Sequence, residues 1–170
     1  MNIFGNLTRL YLELFKRAIT IKQRKPLTSE EVINLIKTKF NNTVSVGFND
    51  LSFECADEGF LKQLHDNCWW KNPSFVYGTN TGDCENYAEF FNGMVALNWQ
   101  INTMGIAFGE IFSGGKWFNH AFCLPILLNE KGELEVWMYD PMVNIAVHVE
   151  DYNNIEDLGW RWKVGHVSYH

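Results

Sequence analysis

The main change in the hydrophobic pattern of the chain, near residue 100, limits the possible folds. Up to Asn98, apart from a short alternating segment at residues 44–48, apolar residues recur at spacings of three and four, which is typical of amphipathic helices. After Met104, apolar and polar residues alternate in segments separated by Gly- and Asn-containing turns, which is typical of strands. Helices first and antiparallel strands afterwards predict an α+β fold, in a single domain of 170 residues.

Four helices are predicted, at residues 7–19, 28–40 and 57–68 and from Asp83 onward. The second begins with a capping box, in which Thr28 is the N-cap and Glu31 lies three residues on. Strands are predicted at residues 44–48, 104–112, 117–128, 134–139, 144–149 and 160–167. The stretch at residues 22–26 is interpreted as the break that ends the first helix.

The helix from Asp83 onward carries a cysteine on its apolar face. Its apolar stripe consists of Cys84, Tyr87, Ala88, Phe91, Met94 and Val95, so the cysteine points toward the protein interior. A thiol at a helix N-terminus lies near free backbone N–H groups and the positive end of the helix dipole, which favour the thiolate. Cys84 is therefore a candidate nucleophile. The alternative is a buried, inert thiol.

A histidine and an aspartate are predicted to lie side by side near this cysteine. Strand alternation places His120 on an apolar face of residues 117–128, and Asp140 ends an apolar face of the next strand. A hairpin through the turn at residues 129–132 brings the two side chains together. Such a pair can act as a general base and the carboxylate that orients it. Taken singly, His120 is better explained as a core histidine and Asp140 as a turn-initiating residue before Pro141; the combination with Cys84 favours the catalytic interpretation.

Three sequence blocks carry a resemblance to a known superfamily. Residues 82–88 (GDCENYA), 119–122 (NHAF) and 139–141 (YDP) resemble the signature blocks of the transglutaminase-like cysteine hydrolases. Residues 70–73 (WKNP) resemble the Trp-x-x-Pro segment of the bacterial transglutaminase-like cysteine protease branch. The resemblance covers residues 69–141 and implies a papain-like fold, in which a Cys-bearing helix packs on an antiparallel sheet.

The resemblance also implies roles for individual residues. Cys84 would be the nucleophile, His120 the general base and Asp140 its orienting partner. Asn80 is a weaker candidate for the oxyanion hole and Trp70 for the substrate groove, since Gly78 stands where papain-like enzymes have Gln.

No cofactor and no metal site are expected. Asn86 replaces the Asp that the superfamily pattern usually carries, which leaves a calcium site near Asp83 and Glu85 in doubt. These two carboxylates are interpreted as compensating the helix dipole. His148, His166 and His170 show no metal-ligand spacing to acidic or thiol residues, and no C-x-x-C pair is present among the four cysteines.

Charge is distributed unevenly along the chain. Residues 1–40 form a basic, helical N-terminal segment with eight Lys and Arg against three Asp and Glu, whereas the remainder carries six against seventeen. The acidic body argues against nucleic-acid binding. No apolar run is long enough for a membrane span and no signal peptide is visible, so a cytoplasmic location is expected, with export by another route or earlier removal of a signal as the alternatives.

The sequence therefore predicts a cysteine hydrolase that cleaves an amide or peptide bond in a protein or peptide, a cell-wall peptide among the possible substrates. Acyl transfer to an amine instead of water stays open. One alternative is a catalytically silent binding module with the same fold. Another is a phage or host-interaction protein that docks through the basic residues 1–40.

Overall fold

The computed structural model of the chain describes residues 19–41, 43–67, 83–149 and 161–169. These residues form three helices and nine strands, with one large sheet as the dominant feature. In chain order they are β1 (Arg24–Thr28), α1 (Ser29–Lys39), β2 (Ser45–Phe48), β3 (Ser52–Asp57), α2 (Glu58–Asp66), α3 (Cys84–Trp99), β4 (Ile106–Ser113), β5 (Lys116–Cys123), β6 (Ile126–Leu128), β7 (Leu134–Asp140), β8 (Ile145–His148) and β9 (Arg161–Tyr169). The predicted helix at residues 7–19 lies almost entirely outside the described residues.

The sheet is mixed rather than antiparallel throughout. Its strands are ordered β1-β3-β6-β7-β5-β4-β9-β2, and β8 also pairs with β7. Two neighbouring pairs, β3 with β6 and β2 with β9, are parallel, so the prediction of a purely antiparallel sheet is wrong. Parallel pairing requires a long crossover connection, and local patterns do not reveal which distant strands such a connection joins.

Helix α1 confirms its predicted cap. The Thr28 hydroxyl accepts a hydrogen bond from the Glu31 backbone N–H, and the Glu31 carboxylate accepts one from the Thr28 N–H in return. Val32 and Ile36 are fully buried on one face of the helix. In α2 the predicted stripe is likewise buried, at Phe60, Leu61 and Leu64.

Helix α3 begins and ends through local hydrogen bonds. Asp83 is the N-cap and exchanges hydrogen bonds with Asn86, its side chain accepting from the Asn86 N–H at 3.2 Å. The buried face includes every predicted apolar position after the cysteine, at Tyr87, Ala88, Phe91, Met94 and Val95. Gln100 then ends the helix in a left-handed conformation with φ 58°.

Helices cover both faces of the sheet. Side chains of α1 pack in one core cluster with Phe122, Val136 and Met138, whereas those of α2 and α3 pack in a second cluster with Cys123 and Tyr139. Adjacent residues of β5 and β7 therefore belong to different clusters, as strand alternation requires. Among the described residues, no helix has the length and apolar character needed to cross a bilayer.

Three strand predictions differ from the structure. The predicted strand at residues 117–128 is two strands, because the chain leaves the β5 pairing at Leu124 and Pro125. The segments that form β1 and β3 were not predicted as strands. β1 contains Pro26, which a strand at the edge of a sheet tolerates because its N–H side faces away from the ladder.

Candidate active site

Cys84 and His120 line the same pocket. The pocket has a volume of about 490 Å³ and lies where the first turn of α3 meets β4, β5 and β9. Cys84 is the first residue of α3 and is half-buried. Its Sγ accepts a hydrogen bond from the Ala121 backbone N–H at 3.4 Å, so the thiol lies against β5 at the residue that follows His120.

His120 and Asp140 form a short, largely buried contact. His120 Nε2 lies 2.7 Å from Asp140 Oδ2, and the two side chains are 13% and 2% exposed. Because a carboxylate only accepts hydrogen bonds, Nε2 is the nitrogen that carries the hydrogen and donates it. The second ring nitrogen, Nδ1, is then the basic one.

The other oxygen of Asp140 closes a turn. Asp140 Oδ1 accepts hydrogen bonds from the backbone N–H groups of Met142 at 2.9 Å and Val143 at 3.4 Å. The buried carboxylate is thus satisfied on both sides, which offsets the cost of removing a charge from water. Asp140 therefore fits both interpretations at once, since one oxygen closes the turn and the other contacts His120.

The predicted hairpin places Asp140 directly opposite His120, and the observed strand register differs from this. Cys123 pairs with Tyr139, so Asp140 lies closest in register to Phe122 and its carboxylate reaches His120 diagonally. The outer half of β5 is also less buried than expected, since Phe118 is 52% exposed. Because the register differs by an even number of residues, His120 and Asp140 still point to the same face of the sheet, and for this reason the two side chains still meet.

The remaining cysteines with described positions are unsuited to nucleophilic chemistry. Burial raises the pKa of Cys55 to about 12. Burial, and then the Asp140 charge, raise the pKa of Cys123 well above its usual range. Both residues therefore stay protonated at neutral pH, and Cys55, Cys84 and Cys123 form no disulfide with one another.

Sequence reasoning missed the wall of the pocket that β4 and β9 contribute. This wall consists of Phe108, Gly109, Glu110, Gly165 and His166, and Asn119 of β5 and Glu85 of α3 complete the lining. Strands β4 and β9 are about 55 residues apart in sequence, and no local pattern indicates that they pair. His166 is held in place by a 2.8 Å contact between its Nδ1 and the Ser45 hydroxyl.

A β-bulge shapes this wall. The register between β4 and β9 shifts between Phe108 and Gly109, so that Gly165 is an extra residue on β9. The backbone of β9 approaches Gly109 so closely that a Cβ there would lie 1.8 Å from the Lys163 carbonyl oxygen. Only glycine fits at this position.

Packing fixes the orientation of the imidazole. The Trp162 ring lies 5.6 Å from the His120 ring and 4.9 Å from that of Phe122, measured between centroids. Trp162 is buried and therefore belongs to the core rather than to a substrate groove. Trp70, Asn80 and the Trp-x-x-Pro segment lie outside the described residues, so their assigned roles stay predictions.

Comparisons with known proteins identify a shared fold and no family. No protein-family model matches the chain, and no curated protein matches it. A solved structure named "PSL1a-E64 complex" is similar, with a TM-score of 0.57 and 14% sequence identity over 84% of this chain. The chain spans 50% of the length of that structure. At this identity the likeness concerns the fold alone.

Proposed function

We propose that this chain is a cysteine hydrolase with a papain-like, transglutaminase-like fold that cleaves an amide or peptide bond. Cys84 is the nucleophile, His120 the general base and Asp140 the residue that orients His120. The observation that supports this proposal most is the buried 2.7 Å contact between His120 and Asp140 at the edge of a pocket that also contains the Cys84 thiol. Each of the three residues is then used as the chemistry of a thiol nucleophile requires.

The reaction begins with proton transfer from the Cys84 thiol to His120. Asp140 holds the hydrogen on Nε2, so Nδ1 is the nitrogen that accepts the thiol proton, and the carboxylate stabilises the resulting imidazolium. The thiolate is further stabilised by the N-terminus of α3 and by the Ala121 N–H, which already donates to Sγ.

Thiolate attack on the substrate carbonyl carbon forms a tetrahedral oxyanion. The backbone N–H of Cys84 lies in the first turn of α3, where helix geometry leaves N–H groups without helical acceptors, and it donates to this oxygen in the proposed mechanism. Collapse of the intermediate breaks the C–N bond, and His120 returns its proton to the leaving amine. Water activated by His120 then hydrolyses the thioester and regenerates the thiol.

The test is selective alkylation of Cys84. The full chain is treated with iodoacetamide between pH 5 and pH 9, and peptide mapping by mass spectrometry measures the rate at each cysteine. We expect rapid labelling of Cys84 near pH 6, slow labelling of Cys55 and Cys123, and loss of the rapid phase in His120→Ala. The Cys84→Ser variant is the control for site assignment.

Labelling of Cys84 that rises only above about pH 8 in both proteins, as for an ordinary thiol, would refute the proposal and favour a catalytically silent binding module. E64, the compound that the name of the similar complex includes, serves as a second probe. A mass increase equal to that of E64 on Cys84, absent in His120→Ala, would support a reactive thiol within a formed site.

A further inference from the structure

A second cluster of titratable side chains lies outside the pocket that contains Cys84. Glu58 is the first residue of α2, Glu135 lies in β7 and His148 ends β8. One ligand atom from each of these residues lies within 4.8 Å of the other two. None of the three lines the pocket of Cys84 and His120.

We propose that Glu58, Glu135 and His148 bind a divalent transition-metal ion, for which Zn²⁺ is the best match. One imidazole nitrogen and two carboxylate oxygens form a set that zinc accepts, and a water molecule would complete a tetrahedral site. Calcium and magnesium prefer oxygen ligands only, so the histidine disfavours them.

The distance between two of the ligand atoms fits a shared metal ion better than a direct bond. His148 Nδ1 lies 3.4 Å from Glu135 Oε2, beyond the usual range for an N–H···O hydrogen bond. Tetrahedral ligands at about 2.0–2.2 Å from zinc are about 3.3–3.6 Å from one another. Among the described residues, the buried Glu135 Oε2 atom has no hydrogen-bond partner, which leaves it available as a ligand.

Neighbouring side chains hold Glu135 and His148 in place. The second oxygen of Glu135, Oε1, accepts a hydrogen bond from the Asn129 side-chain amide at 2.8 Å. Asn129 is itself fixed, because its Oδ1 accepts from the Lys131 and Glu133 backbone N–H groups. The His148 ring packs on Trp137 with 3.8 Å between centroids. Such support orients metal ligands before the metal binds.

The charge balance of the cluster favours a cation. The cluster contains two carboxylates, those of Glu58 and Glu135, and Asp57 and Glu130 line the same pocket as Glu58. Lys62, one turn along the same helix, pairs instead with Asp66 at 3.0 Å. A divalent cation would neutralise both carboxylates.

The sequence did not indicate this site because its ligands come from three elements. The pairing of β7 with β8 places His148 opposite Trp137, two residues from Glu135, and α2 brings Glu58 to them. No spacing along the chain resembles a metal motif.

The experiment measures zinc binding directly. The full chain, freed of metal by a chelator, is titrated with ZnCl₂ by calorimetry and thermal unfolding, in parallel with CaCl₂. The same titrations are made on Glu135→Gln, His148→Ala and Cys84→Ala. Glu89→Gln, an equal charge change at an exposed position of α3, is the matched control.

We expect one zinc ion per chain and a zinc-dependent rise in the unfolding temperature in wild type, Cys84→Ala and Glu89→Gln. Loss of a ligand in Glu135→Gln or His148→Ala should weaken binding at least as much as the about 10–100-fold that loss of a supporting residue costs. Circular dichroism of the metal-free variants establishes that they are folded.

Three results would overturn the proposal. The first is zinc binding that disappears in Cys84→Ala, which would place the ion at the thiol. The second is equal zinc affinity in folded Glu135→Gln and Glu89→Gln. The third is binding of Ca²⁺ in preference to Zn²⁺, which would contradict the assigned donor chemistry.

Discussion

Asp140→Asn separates the orienting role of this carboxylate from its structural role. The substitution keeps the shape of the side chain, and its remaining oxygen can still accept from the Met142 N–H. The main structural loss concerns the hydrogen bond to His120. A charge-assisted hydrogen bond, worth about 1.5–3 kcal/mol, is replaced by a neutral one, worth about 0.5–1.5 kcal/mol. A loss of about 1 kcal/mol lowers the unfolding temperature of a chain of this size by about 2–4 °C.

The effect on the thiol should be far larger. The amide N–H of the introduced asparagine donates to Nε2 of His120, which moves the ring hydrogen to Nδ1, so that Nδ1 can no longer accept the Cys84 proton. The imidazolium also loses a charge about 4 Å away, which is worth about 4 kcal/mol at an effective dielectric constant of about 20. At a factor of ten for every 1.4 kcal/mol this loss is enough to return Cys84 to the behaviour of an ordinary thiol, of which only about 0.3% is thiolate at pH 6, so alkylation at pH 6 should slow by up to about 300-fold.

The assay is the iodoacetamide rate at Cys84, measured beside the unfolding temperature for each variant. Asp66→Asn is the matched control, since Asp66 is an exposed partner of Lys62. Asp140→Ala should also be less stable by about 1–3 kcal/mol, because the Met142 N–H loses its acceptor. A folded Asp140→Asn that alkylates at the wild-type rate at pH 6 would refute the argument.

Two further predictions concern stability. Gly109→Ala should destabilise the chain and disturb the pairing of β4 with β9, because the added Cβ would collide with the β9 backbone. Gly93→Ala should stabilise α3 by about 0.5–1 kcal/mol, because a Cβ there has no neighbour within 4 Å. Chemical denaturation of both variants measures the contrast. Burial and Glu135 raise the pKa of Glu58, so the metal-free folded chain binds this proton more tightly than the unfolded chain and should gain stability as the pH falls from neutral through that raised value. Glu58→Gln should remove this gain and be more stable than wild type at pH 7. Unfolding temperatures of both proteins between pH 7 and pH 5 measure the difference, and equal pH profiles would contradict the prediction.

The elements that local physics determines were predicted well. The capping box of Thr28 and Glu31 and the stripe of α3 depend on residues within a few positions of one another, and both are found as expected. β3 was missed although Phe53 and Cys55 are buried in alternation, because Glu54, Ala56 and Asp57 have low strand propensity. Its place in the sheet comes from its partners β1 and β6.

The residues of the candidate site also divide into those that local patterns predict and those that depend on pairing between distant strands. Cys84 was identified from the start of a helix, and the pair of His120 and Asp140 from parity across a short connection. The wall of β4 and β9 was not identified, because it depends on a pairing between distant strands and on an extra residue, Gly165, that shifts the register. The cluster of Glu58, Glu135 and His148 was missed for the same reason.

The end of β7 explains why Asp140 can serve two structural purposes at once. Strand β7 ends at Asp140, one residue beyond the pair of Tyr139 with Cys123, and the chain then turns back into β8, where Ile145 pairs with Asp140. Pro141 favours that turn, and Oδ1 of Asp140 closes it by accepting from the Met142 N–H. The turn directs Oδ2 toward His120, so the same local sequence that ends the strand also places the carboxylate against the imidazole. An Asp-Pro pair at the end of a strand that pairs with a histidine-bearing strand is therefore a physical signal for an oriented imidazole, and it can be searched for without knowledge of the rest of the pocket.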